Sequence, residues 1–148
     1  PKKRSALQPL EILWIVLFRF RPLPRIWAVL LIAVDLGAVV FIDTIYGQIA
    51  LAAVLAAVAV IILLHAKLGF VRLLGVGHVF WIPMLVWFAM NLPDQAKEPA
   101  LHYWVIVLMA FNAGSLVIDT IDVVRYIAGD RTPHYSWKSG NGSNARAL

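Results

Sequence analysis

The sequence predicts an all-α integral membrane protein: four transmembrane helices preceded by a short interfacial amphipathic helix, with both termini in the cytoplasm. Three observations predict it. The 148 residues are 61% hydrophobic and only 14% charged, far less charge than a soluble domain of this size carries. The apolar residues fall in long blocks divided by short polar joints, which leaves no room for a soluble domain. Of the thirteen Lys and Arg, all but Lys97 fall on one side of a four-span arrangement, and the positive-inside rule makes that side cytoplasmic. The cell membrane, most simply a bacterial inner membrane, is the expected location.

Residues 1–25 are read as a basic tail and an interfacial helix. Leu10 to Phe20 is strongly apolar but too short to span, and Arg19, Arg21 and Arg25 follow it at once, with Pro22 and Pro24 between. It lacks a small-residue cleavage site, so it does not read as a signal peptide. The transmembrane domain is expected over residues 26–127. Span one runs over 27–46, with Trp27 and Tyr46 at its two interfaces. A tight joint at Tyr46-Gly47-Gln48 leads to span two, 49–64, where Ala52 and Ala56, or Ala53 and Ala57, offer a flat seam for close helix packing. Span three, 74–92, contains His78 and Pro83, and the proline is expected to act as a hinge. A polar loop at 93–100 precedes span four, 102–126. Residues 128–148, rich in Gly, Ser and Asn, read as a polar, flexible cytoplasmic tail.

The sidedness of the charges accounts for the basic balance without nucleic acid. It points instead to anionic lipid headgroups at the cytoplasmic rim. The absence of Cys excludes disulfides, thiol catalysis and cysteine-ligated metals.

Span four carries the densest polar signal. Asn112, Ser115, Asp119 and Asp122 are offset by three, seven and ten residues, so one helix face collects them. A carboxylate facing lipid is very costly, so this face should turn inward. At about 1.5 Å per residue, Asp35 lies about 12 Å above the cytoplasmic interface, Asp119 about 9 Å, His78 about 6 Å and Asp122 about 5 Å. These side chains, with Asn112, can meet in one bundle interior as an ion or proton site, with His65 and Arg125 at its rim and Asp43 at an entrance on the far side. Asp119 and Asp122 can share a proton, bind a cation together with a His nitrogen, or be neutralised by Arg125, Arg21 or Arg25 in a purely structural network. Asn112 has a bland reading too, as a cross-helix hydrogen bond that fixes register.

Four function classes follow. Buried carboxylates without a fixed counter-charge suit a small oligomeric transport or channel protein that conducts or couples to protons or small cations. An alanine seam and an amphipathic N-terminal stretch equally suit a non-catalytic accessory subunit, assembled with itself or with a partner membrane protein. His65 and His78, close in depth, admit haem b. Asp119-x-x-Asp122-x-x-Arg125 resembles the metal-binding acidic motif of enzymes that transfer phospho-alcohol headgroups between lipids, but lacks its glycine, its alanine beside the arginine and its second aspartate pair. Peptidase, serine-hydrolase and phosphate-loop motifs are absent, which argues against an enzyme.

Overall fold

The computed structural model describes residues 22–68 and 72–129, together with Leu10, Leu13, Trp14 and Phe18. Its elements are α1 (Pro22–Val40), α2 (Ile45–Leu68), a 3-10 helix (Arg72–Phe80) that runs directly into α3 (Trp81–Met90), and α4 (Pro99–Ile127). Helices α1, α2 and α4 are each long and apolar enough to cross a membrane. The chain is therefore an all-α, multi-pass membrane protein. Its outer surface carries large exposed apolar side chains on every long helix, among them Leu36, Val39, Leu55, Leu63, Val117 and Val124. That is a surface suited to lipid and not to water.

Each segment packs against its neighbours in the chain, and α4 closes the ring against α1, giving a four-helix bundle whose diagonal pairs barely touch. The hairpins end in turns at 41–44 and 91–98, which define a turn end. The opposite end, carrying Lys67 and Arg125, is the basic end.

The first turn differs from expectation. Helix α1 stops at Val40, not at Tyr46, and residues 41–44 make the turn. Thr44 is responsible. Its hydroxyl donates to the Phe41 carbonyl at 2.8 Å and accepts the Gly47 N–H at 3.2 Å, so it caps the first turn of α2. Gly47 is inside that turn, and a β-carbon there would collide with the Phe41 carbonyl. Asp43 is consequently an exposed turn residue, and α2 is longer than the expected 49–64.

Of the two alanine seams on α2, Ala53 and Ala57 face the core together with Ala50, while Ala52 faces outward and Ala56 is half-buried. The inner seam receives the 3-10 helix. A β-carbon at Gly77 would stand 3.0 Å from the Ala57 carbonyl, so small residues on both sides permit close backbone approach.

The third span is broken. Gly75 and Gly77 weaken the α preference, and Pro83 has no N–H to offer the Val79 carbonyl. The chain answers with nine residues of 3-10 coil and becomes α-helical at Trp81, which places Pro83 in the first turn of α3, where a missing N–H costs least. Helix α4 begins with Pro99 at its first position, a preferred place for proline. The expected interfacial helix and tail fall mostly outside the described residues. Leu10, Leu13 and Trp14 have helical backbone and are exposed, and Ala128 and Gly129 form a turn.

The hairpin geometry predicts that Gly47→Ala destabilises the bundle by about 1–3 kcal/mol, the usual range for forced overpacking. Ala52→Gly, on an exposed helix face, should cost about 1 kcal/mol or less. Unfolding titrations in mixed micelles measure both, and equal losses would refute the turn's dependence on Gly47.

Candidate functional site

Two polar pairs occupy the bundle interior. On α1, half-buried Asp35 accepts a hydrogen bond at Oδ1 from Asn112 Nδ2 at 2.9 Å. Asn112 is fully buried, and its Nδ2 also donates to the Leu108 carbonyl at 2.9 Å. Both neighbours are acceptors, so the orientation of the amide is fixed. Nearer the basic end, His78 Nδ1 and Asp119 Oδ2 are hydrogen-bonded at 2.6 Å, with both side chains mostly shielded. His78 also lies within electrostatic reach of Asp35. The imidazole is thus hydrogen-bonded to the Asp119 carboxylate, while the Asp35 carboxylate is hydrogen-bonded to Asn112.

The 3-10 coil builds this arrangement. Side chains at i and i+3 eclipse in such a helix, so Gly75, His78 and Trp81 share one face. The Trp81 indole lies nearly flat on the His78 ring, with centroids 3.9 Å apart and planes 21° apart. Gly75 clears space for the carboxylate, since a β-carbon there would be 2.8 Å from both Asp119 Cβ and Oδ1. Sequence reasoning singled out His78 but missed Trp81 and Gly75. The three-residue spacing of Gly75, His78 and Trp81 was the available signal.

Other expected site residues are placed differently. Ser115 accepts the Trp27 indole N–H at 2.9 Å, and Trp27 stacks on Phe111 with Gly114 making room. Ser115 therefore serves the α1–α4 contact, and Trp27 turns into the protein. Asp122 is buried one turn beyond Asp119, Arg125 is exposed near the end of α4, and both are engaged in further interactions. His65 is buried toward the basic end of α2 and is likewise engaged. Among the described residues no group of three or more His, Cys, Asp or Glu converges to hold a metal ion. The expected cation cluster of Asp119, Asp122 and His78 is therefore not assembled among the described residues. Asp122 shares a helix face with Asp119, but a shared face does not oblige two side chains to reach one point.

The turn end is filled differently. Phe41 stacks on Trp104 at 4.8 Å, and Tyr46 packs on Trp87 and Phe88 at 5.3 and 5.8 Å. The Trp104 N–H donates to the Val34 carbonyl at 3.0 Å, and the Tyr46 hydroxyl donates to the Asn91 carbonyl at 2.6 Å. The polar interior of one bundle thus runs from the basic end to mid-depth and stops beneath aromatic packing.

A comparison with protein-family models, curated proteins and solved structures finds no match for this chain.

The His78–Asp119 geometry predicts an asymmetric mutation series. Asp119→Ala leaves His78 Nδ1 without its partner and should cost about 1–3 kcal/mol of stability. Asp119→Asn keeps an acceptor oxygen and should cost about 1 kcal/mol or less. Unfolding in lipid discs measures the difference, and identical losses would show that the bond carries no stability.

Proposed function

We propose that this chain handles protons within the membrane: it conducts them, or couples their movement to another process, through Asp35, His78 and Asp119, as a homo-oligomer or with a partner membrane protein. The observation that carries the reading is the hydrogen-bonded His78–Asp119 pair in the bundle interior, with a second interior carboxylate, Asp35, held by Asn112 nearer the turn end. Intramembrane ionisable groups are costly to keep, and a carboxylate–imidazole series is well suited to taking up and passing on protons.

In this reading all four segments cross the bilayer. Nine residues of 3-10 helix at about 2.0 Å each and ten of α-helix at about 1.5 Å each reach about 33 Å, against a hydrocarbon core of about 30 Å. The basic end faces the cytoplasm with both termini, in contact with anionic headgroups, and the turn end with Lys97 and Asp43 faces outward. Protons then reach Asp35 from the cytoplasmic side. Passage beyond the aromatic packing requires a second subunit or a movement of α3 about the 3-10/α junction beside Pro83.

That same aromatic filling favours a second reading, a non-catalytic accessory subunit of a larger membrane complex, in which the polar pairs only fix helix register. Proton flux into liposomes with an internal pH dye separates the two. Asp35→Asn and His78→Gln should each lower flux by about tenfold or more while leaving helicity and assembly intact. Unchanged flux in both variants, or impaired assembly in place of flux, would favour the accessory role. The Cys-free chain also makes topology simple to test. Lys97→Cys should react with an impermeant maleimide on intact cells, and Lys67→Cys only after lysis.

A further inference from the structure

Among the buried side-chain atoms that meet no hydrogen-bond partner in the described residues, two lie toward mid-depth of the bundle, Trp81 Nε1 and Asn112 Oδ1; the others are the ring nitrogens of His65, a residue engaged in another interaction. Trp81 is 2% exposed and Asn112 fully buried, so bulk solvent reaches neither. Leaving a buried donor and a buried acceptor unmatched costs about 1–3 kcal/mol each. Reversing the Asn112 amide does not relieve this, because its nitrogen already serves two acceptors, Asp35 Oδ1 and the Leu108 carbonyl.

The two atoms belong to one region. Joined by the short 91–98 loop, the 3-10/α3 segment and α4 run antiparallel, and the His78–Asp119 bond sets their common level. From that level Trp81 lies three residues toward the turn end, about 6 Å, and Asn112 lies seven residues the same way, about 10 Å. Counted along the backbone, the two residues are therefore about one α-helical turn apart in depth. Asp35, bonded to Asn112, and His78, stacked on Trp81, border the same region.

We infer that an internal water molecule is bound between Trp81, Asn112 and Asp35, accepting the indole N–H and donating to the Asn112 carbonyl and to the Asp35 carboxylate. The chemistry of the two atoms selects the ligand. A metal cation would be repelled by the indole N–H, and an anion would be repelled by the amide oxygen and by Asp35. A species that accepts and donates in the same place satisfies both, and buried water usually makes about three such bonds. The site sets the water between the Asp35–Asn112 pair and the indole that stacks on His78, so the hydrogen-bonded group ends at Trp81 and meets the His78–Asp119 pair only through ring contact.

Synchrotron radiolysis of the intact protein in lipid discs, mixed rapidly with ¹⁸O-water, tests this directly, because radicals form at bound water and mark the residues beside it. Mass spectrometry should find Trp81 labelled several-fold faster than Phe88, which is equally buried, and faster than Trp104, whose N–H is already taken by Val34. Trp81 labelling no faster than Phe88 would overturn the site. Asn112→Leu, of similar volume but without the amide, should abolish the Trp81 label in protein that retains its helicity. Undiminished labelling there would also overturn it. The site rests on the two unmatched atoms and not on the proton reading, and the two fail separately. Label without proton flux removes only the proton reading, and flux without label removes only the water.

Discussion

The hydrogen bond from Asn112 to Asp35 is the contact on which the bundle's register depends. A carboxyl group on an apolar helix has to be met by another helix or brought to water, and α4 meets it with the one side-chain amide in its apolar stretch. Two further bonds lie along the same seam: the Trp104 N–H to the Val34 carbonyl on one side, and the Trp27 N–H to Ser115 on the other. Sliding α1 by one residue against α4 would break all three. Each is worth only about 0.6 kcal/mol within a membrane, so their value lies in selecting one register more than in strength.

With α1 and α4 fixed, the broken third span completes the interior. Small residues on α2 let the 3-10 coil approach closely, and the coil's three-residue period aligns Gly75, His78 and Trp81 on one face. An α-helix would fan these side chains apart by about 60° per step. The tighter coil instead stacks the indole on the imidazole while glycine leaves room for Asp119. The polar groups then occupy the middle and basic parts of the bundle, and Phe41, Tyr46, Trp87, Phe88 and Trp104 fill the turn end. One bundle therefore combines a polar middle and basic part with an aromatic turn end.

Much of this was legible in the sequence. Hydropathy marked the long spans, and the offsets along α4 correctly turned Asn112, Ser115 and Asp122 inward, with Asp119 largely shielded. A cross-helix hydrogen bond was one reading open to Asn112, and its pairing with Asp35 is that bond, but the sequence did not single out Asp35 as the partner. What escaped depended on backbone geometry that apolar blocks do not encode. Thr44 stops α1 early by capping α2, but Ile-Asp-Thr-Ile is apolar enough to read as more helix. The 3-10 coil was hidden because hydropathy has no sensitivity to period, although two glycines before His78 and Pro83 after it mark the place. Asp119 and Asp122 share a face, yet only Asp119 meets His78, because distance between side chains depends on the opposing helix as well as on the face.

The central claim is that the two polar pairs act as one interior system with His78 as the link. A double-mutant cycle between Asp35→Asn and His78→Gln, read by unfolding in lipid discs, measures that link. The account predicts a coupling energy of about 0.5–2 kcal/mol. Strict additivity, within about 0.3 kcal/mol, would contradict it and leave two independent helix-fixing contacts.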